Sequence, residues 1–574
     1  MVAIPRVARA LAPAVPALIF LAIFFGIPVF EILKGSVYSA DGHLGLEQLR
    51  RLTGNIVYAK VLSTTFLISG LTAGFSVLLG YPVAYLLSQL NARSRSRWLV
   101  WLLIPFWTSY LVKTFAWILV LSRTGVLATV AIAVGLIGEP VSMVPSLTGV
   151  LIGMVHALLP LAVMTMLPIM QGISAQLLQA AETLGANRPI AFFSVFVPLS
   201  APGAAAAGLL VFITSLGFFI VPSLLGGPRQ TMIAQLVIST VLEVLNLSFA
   251  GALSSVLLVC AILVFFLYDR LVGLSSLSGD AGSVPRGRRL GGWNPVLVVL
   301  GRLAGRIAGL LGRATRAESG WGLRLYAVLV VVLLSLPIAV VLPIAFTNSP
   351  FLAFPPRGFS LRWFETFLFS PVWQAALFRS LGVATVTATA AVALGLGAAL
   401  ALTKLPAAWS KSVFAFLIAP LIVPRIVIAV GLFYLYARLG LTGTDLGLVL
   451  GHTVLAIPYV VVTMAAALKR FDWRLDDAAR ILGASAWARM YTLILPLLLP
   501  ALVSAFLFAF ITSFDELTIA IFVSGGLKTT LPKQMWDDML LQVNPTLAAV
   551  SATLVCAIAL LVLVPTMLRR ESSP

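Results

Sequence analysis

The chain has 574 residues, 60% of them hydrophobic and only 10% charged, and its mean hydropathy is +1.07. No water-soluble core needs that much apolar sequence, so lipid is the solvent for most of the chain. The formal net charge of +19 does not point to nucleic acid, because the basic residues lie between apolar spans and form no patch interleaved with aromatic side chains.

About twelve segments are long and apolar enough to cross a bilayer. Six lie near 11–33, 61–90, 98–122, 146–170, 198–222 and 247–273, and six near 324–346, 378–403, 412–437, 446–468, 496–524 and 546–568. The expected fold is therefore all-α and polytopic. The first segment follows Arg6 and Arg9 but is long for a signal peptide, and Tyr38-Ser39-Ala40 is a poor cleavage site. It reads as a retained helix.

The link Asn91–Arg97 carries three arginines. Further along, Gln179-Ala180-Ala181 is followed by Gly185, Asn187 and an apolar run to Pro198 and Pro202. The residues read as helix, turn, helix, with Gly185 able to take the left-handed conformation that ends the first helix. Asn187 is an N-cap type that can start the second.

A connector at about 274–323 joins the halves, with Ser275 to Gly292 rich in Gly, Ser and Arg. Beyond it, Arg302, Arg306, Arg313 and Arg316 fall within about 80° on a helical wheel. Val299, Leu300, Leu303, Ile307, Leu310 and Leu311 fill the opposite side. That pattern fits a helix lying on an anionic membrane surface. The alternative is a disordered tether, since Gly301, Gly305, Gly309 and Gly312 weaken a helix.

In the second half, Asp477-Ala478-Ala479, Gly483 and Ser485 precede an apolar run to Pro496 and Pro500. Gly185 and Gly483 lie 298 positions apart (483 − 185), and Pro198–Pro496 and Pro202–Pro500 repeat that offset. Pro105 aligns with Pro420 at 315, so the first half carries 17 extra residues (315 − 298), in its outer loop near 123–145. Self-similarity of this kind marks a duplicated unit. The halves are expected at 1–273 and 324–574, six spans each, in parallel orientation around a central path.

The basic link, the connector and Lys469, Arg470, Arg474, Arg480 and Arg489 fall on one side if both termini lie there. Roughly two dozen of the 38 Lys and Arg then face the cytoplasm. Both repeated motifs are thus expected to be cytoplasmic.

No Gly-Lys-Ser or Gly-Lys-Thr occurs, so the chain has no P-loop signature of its own. His43, His156 and His452 do not cluster as metal ligands do. Cys260 and Cys556 each sit in an apolar stretch and read as small buried hydrophobes. No catalytic, metal or cofactor site is expected. Four ionisable residues fall within or near spans: Lys113, Arg425, Asp515 and Glu516. Such groups are costly in lipid and either line a path or pair with one another. The first-half counterpart of Thr512–Glu516 has no acid. Asp515 is expected to line the path and Glu516 to pair with Arg425.

Gln179-Ala180-Ala181 with Gly185, and Asp477-Ala478-Ala479 with Gly483, resemble the cytoplasmic loop of binding-protein-dependent ABC permeases. That family's pattern is Glu-Ala-Ala, three residues, Gly, then an apolar stretch ending in Leu-Pro. Here Val197-Pro198 and Leu495-Pro496 close it. Neither copy keeps the Glu; Asp477 preserves its charge and Gln179 does not. Ile104–Thr114 and Leu224–Pro228 resemble the first permease subunit of the spermidine/putrescine group. Phe354–Ser360 and Ser513–Glu516 resemble the second. The resemblance implies a permease in the bacterial inner membrane that unites both subunits. It implies two cytoplasmic ATP-binding subunits, which carry ATP and Mg, and an external solute-binding protein. The implied solute is a polyamine or related organic cation; ferric iron, thiamine or an opine are the alternatives within the family. An ion-gradient-driven secondary transporter would have no use for paired docking loops; a non-transporting membrane scaffold is a second alternative, and neighbouring genes for an ATPase and a secreted binding protein would separate the three.

Overall fold

The computed structural model describes residues 3–37, 45, 47–272, 299, 321–525, 528–541 and 543–571. His43 and nearly all of the connector, including its four aligned arginines, lie outside the described residues.

In chain order the helices that matter here begin with α1 (Val7–Ser36), α2 (Ile56–Gln89), α3 (Ala92–Trp107), α4 (Tyr110–Leu121) and α5 (Leu147–Gln171). They continue with α6 (Ala175–Thr183), α7 (Arg188–Leu216), α8 (Ile220–Leu225) and α9 (Leu247–Val272). The second half supplies α10 (Trp321–Ala345), α11 (Pro371–Lys404), α12 (Ala407–Ile422), α13 (Arg425–Leu439) and α14 (Asp445–Arg470). It ends with α15 (Trp473–Ile481), α16 (Ala486–Phe514), α17 (Thr518–Val523) and α18 (Pro545–Glu571). No strand forms among the described residues. Ten of their helices are long and apolar enough to cross a membrane, eleven if the pair α12 and α13 is one span. Helices dominate because a backbone in lipid must satisfy its own hydrogen bonds.

The chain forms two compact units, and each draws on both sequence halves. One comprises Met1–Lys60, Ile233–Ile262 and Arg362–Leu547. Its core is α11, α14 and α16 packed on one another, with α1 laid across α11 and α13. The other comprises Val61–Met232, Leu263–Leu361 and Ala548–Pro574. Here α5 packs on α7, and α4 packs on α10, the first helix of the second half. The duplication is a property of the sequence; the packing partners cross it.

Close approach through glycine recurs in both units. A Cβ on Gly80 of α2 would lie 3.0 Å from Val163 of α5, and one on Gly395 of α11 would lie 2.6 Å from Val460 of α14. These glycines are 315 residues apart (395 − 80). Small residues at helix contacts let backbones approach where lipid supplies no hydrophobic drive.

Two expectations need correction. The segments 98–122 and 412–437 are not continuous helices. The first breaks between Trp107 and Tyr110, and the second turns by 95° between Ile422 and Arg425. Thr108 and Val423 are extended, at ψ 136° and 128°. Pro424 disfavours a helical Val423 through its ring, and Ser109 caps the new start by accepting the Leu111 N–H. The segments 198–222 and 496–524 also break, so Asp515 and Glu516 lie between α16 and α17 rather than within one continuous span.

Candidate functional site: the paired loops and the helix breaks

The two loop motifs have the same construction. Ser174 caps α6 and Asp472 caps α15 through their side chains. Gly185 and Gly483 adopt φ +90° and +86°. Around Gly185, the Ala186 N–H reaches back to the Ala181 carbonyl at 3.0 Å; around Gly483, the Ala484 N–H reaches the Ala479 carbonyl at 3.0 Å. This six-to-one closure absorbs carbonyls that a helix end leaves orphaned. The Asn187 side chain accepts the Ile190 N–H, and Ser485 accepts the Ala488 N–H, starting the next helix in each case. Each of those helices then carries a π-helical turn, at 192–196 and 490–494, again 298 apart (490 − 192).

Both loops present their motif residues outward. Gln179, Ala180, Asp477 and Ala478 are exposed, while Ala181 and Ala479 are half-buried. Leu184 is 89% exposed and Leu482 is 86% exposed, with Ile481 and Trp487 also open. Asp477 pairs with Arg480 at 3.0 Å, an exposed contact worth little on its own. The half-buried pair Asp476–Arg489, at 2.7 Å, ties α15 to the start of α16, and Arg489 also donates to the Ala484 carbonyl. The second loop is thus braced across its turn. The first loop has Leu178 and Ala191 at those positions (476 − 298 and 489 − 298), and its Arg188–Glu182 contact is 3.9 Å and exposed.

Lys113 is buried in α4, where its Nζ donates to the Phe106 carbonyl at 3.2 Å and sits 4.7 Å from the Tyr110 ring centroid. It satisfies a carbonyl that the break after α3 would strand. His156 is buried on α5, with Nε2 donating to the Leu334 carbonyl of α10 at 2.9 Å.

In the other unit, Glu516 is 1% exposed and closes the N-terminus of α17. Its carboxylate accepts N–H groups from Thr518 (3.0 Å), Ile519 (2.8 Å) and Ala520 (3.4 Å). His452 Nε2 lies 3.7 Å from the same carboxylate, and its Nδ1 meets the Ser513 hydroxyl at 2.8 Å. Arg425, half-buried at the start of α13, is within electrostatic reach of Glu516. Asp515 is half-buried at the end of α16. Charged residues thus stand at both helix breaks of this unit, Arg425 at one and Asp515 and Glu516 at the other. At the repeat-equivalent positions of the other unit, Tyr110 and Phe218 meet ring to edge at 5.0 Å. The sequence reading placed Arg425 with Glu516 but did not see that aromatic rings stand at the equivalent positions of the other half. The offsets of 315 (425 − 110) and 298 (516 − 218) were available to find it. Among the described residues no three His, Cys, Asp or Glu side chains gather as metal ligands would.

Residues 391–571 match the family described as binding-protein-dependent transport system inner membrane component. The spermidine/putrescine transport system permease protein PotB of Haemophilus influenzae is 32% identical over 262 residues, which are 44% of this chain and 91% of that protein. The chain belongs to this permease family. It is accordingly a multi-pass inner-membrane transport component. The corresponding permease protein PotC of Escherichia coli K12 is 28% identical over 264 residues, 46% of this permease and 97% of that protein. Among solved structures, it is similar to a bacterial ABC transporter involved in the import of the acidic polysaccharide alginate. The TM-score is 0.38, with 18% identity over 45% of this chain and 93% of that one; a likeness at that level bears on neither substrate nor partners.

Proposed function

We propose that the chain is the whole membrane pathway of an ABC importer for a polyamine or related organic cation. Two permease halves, 1–273 and 324–574, are united through the connector 274–323. Two separate ATP-binding subunits, which hold ATP and Mg, dock on the loops at Gln179–Gly185 and Asp477–Gly483. A solute-binding protein delivers the cation from outside. Both termini and the connector lie in the cytoplasm.

The observation that carries this reading is the duplicated pair of exposed loops. Each is rigidly capped at both ends yet leaves a large apolar side chain, Leu184 or Leu482, in the open. An ordered apolar projection on the basic side of a membrane protein is what a docking surface requires. Closure of the ATPase pair would move each loop, and through α7 and α16 the spans attached to it. That bias would shift an inward-open to outward-open equilibrium. Support for a cationic solute comes from the spermidine/putrescine names of the relatives and from carboxylates found only in the second half's fifth-span break.

The test is reconstitution of the full chain with its ATPase and binding protein in liposomes. ATP-dependent uptake of labelled spermidine or putrescine is the expected result. ATP-independent uptake driven by an imposed ion gradient would overturn the reading. Reporter fusions at Ser275 and Ser573 should be active only as cytoplasmic reporters.

A further inference from the structure

A cleft of about 1030 Å³ opens between α3 and α10, within one unit. Its floor is apolar, formed along α10 by Val328, Val332 and Leu336. At the end where both helices begin, Arg97 and Arg324 flank it, with Trp98 and Trp101 beside them. Both arginines are exposed, and neither forms a hydrogen bond or ion pair with the described residues. The opposite face of α10, with Ala327, Leu334 and Val341, is buried.

We propose that this cleft binds one anionic phospholipid, its phosphate between Arg97 and Arg324 and an acyl chain along α10. Three features of the cleft agree. Two exposed guanidinium groups at one mouth, without an acidic partner among the described residues, select an anion and match phosphate through charge-assisted hydrogen bonds. The rise from Arg324 to Leu336 is about 18 Å along the helix, close to the depth of a single leaflet at about half of a ~30 Å hydrocarbon core. Tryptophans at the charged end sit where amphipathic rings favour the headgroup boundary. Charge argues against the chain's own connector as the occupant. That segment carries Arg286, Arg288, Arg289, Arg302, Arg306, Arg313 and Arg316, which would repel the two arginines. The bound lipid fills the part of the groove between α3 and α10 that protein atoms leave open.

Native mass spectrometry of the full chain, extracted from nanodiscs of equal phosphatidylglycerol and phosphatidylcholine, tests this. The expected result is about tenfold preferential retention of phosphatidylglycerol. Arg97→Gln with Arg324→Gln should abolish the preference, and Val332→Trp should displace the lipid while leaving both arginines. Equal retention of the two lipids by the wild-type chain overturns the proposal, whatever the variants do. So does a preference untouched by the double substitution. Retention unaffected by Val332→Trp, or headgroup binding equally reversed by millimolar inorganic phosphate, would make this a plain anion site. A photo-crosslinker placed at position 336 should label lipid. Capture of residues from the connector or from a second copy instead would sink the proposal.

Discussion

The Glu516 carboxylate lies 3.7 Å from the His452 imidazole, and each side chain is 1% exposed. The same carboxylate takes up the first N–H groups of α17, so a single buried acid both starts a helix and anchors it to α14. Removing the acid leaves buried donors without an acceptor, at about 1–3 kcal/mol for each unsatisfied group. Glu516→Ala should therefore lower the thermal midpoint of the purified permease by several degrees. Glu516→Gln keeps one acceptor oxygen and should lie between. An unchanged midpoint for Glu516→Ala would show that the cap carries no stability.

The loop glycines make a second prediction, in which conformation and space can be separated. A Cβ at Gly185 or Gly483 would meet nothing within 4 Å, so any penalty comes from the positive φ alone. Left-handed backbone costs an ordinary residue roughly 1–2 kcal/mol, and asparagine tolerates it better than a β-branched residue. Gly483→Val and Gly185→Val should leave the chain inserted but reduce ATPase co-purification and uptake. Gly483→Asn should retain most of both. Equal loss for Asn and Val would argue against the turn conformation as the cause.

The two loops differ in charge, and that difference gives a third test. Among the described residues Asp477 makes one ion pair, an exposed one with Arg480, so Asp477→Asn should shift the thermal midpoint little. If the loop meets a basic groove on the ATP-binding subunit, the same substitution should weaken association more than Gln179→Ala does. The measurement is the dissociation constant of purified permease and ATPase at two salt concentrations. The Asp477 effect should shrink at the higher one.

What the sequence displayed was the part of the fold carried by residue type. Apolar length marked the spans, and Gly185 and Gly483 marked the loops because left-handed turns favour glycine. The breaks at 108–109 and 423–424 were hidden, because apolar residues flank them on both sides and a hydropathy window runs straight through. Proline did not reveal them either. Pro82, Pro160, Pro202, Pro458 and Pro500 all sit inside continuous helices, so Pro424 was one proline among many. The capping role of Glu516 was hidden for a related reason. Read as part of a continuous span, Asp515 and Glu516 point about 100° apart; at a helix break the second can fold back onto the amides that follow it.

The last prediction concerns Asp515. Glu516 is 1% exposed and engages its carboxylate with the amides of α17, whereas Asp515 is only half-buried and so the more accessible acid for a cation crossing the unit. Its repeat counterpart is Gly217, 298 residues earlier (515 − 217), so the shared architecture does not demand an acid there. A diamine or triamine leaving water needs counter-charge along its route, and a carboxylate supplies it through charge-assisted hydrogen bonds. Asp515→Asn is nearly isosteric. The variant should assemble with its ATPase, keep basal ATP hydrolysis and melt within a degree or two of wild type, while uptake of a polyamine falls at least about tenfold, the equivalent of one lost charge-assisted contact. A purely structural Asp515 would give the reverse pattern: a lower melting point with normal uptake by the molecules that survive. Full uptake in a well-assembled Asp515→Asn, Glu516→Gln double variant would remove both carboxylates from the path of the solute.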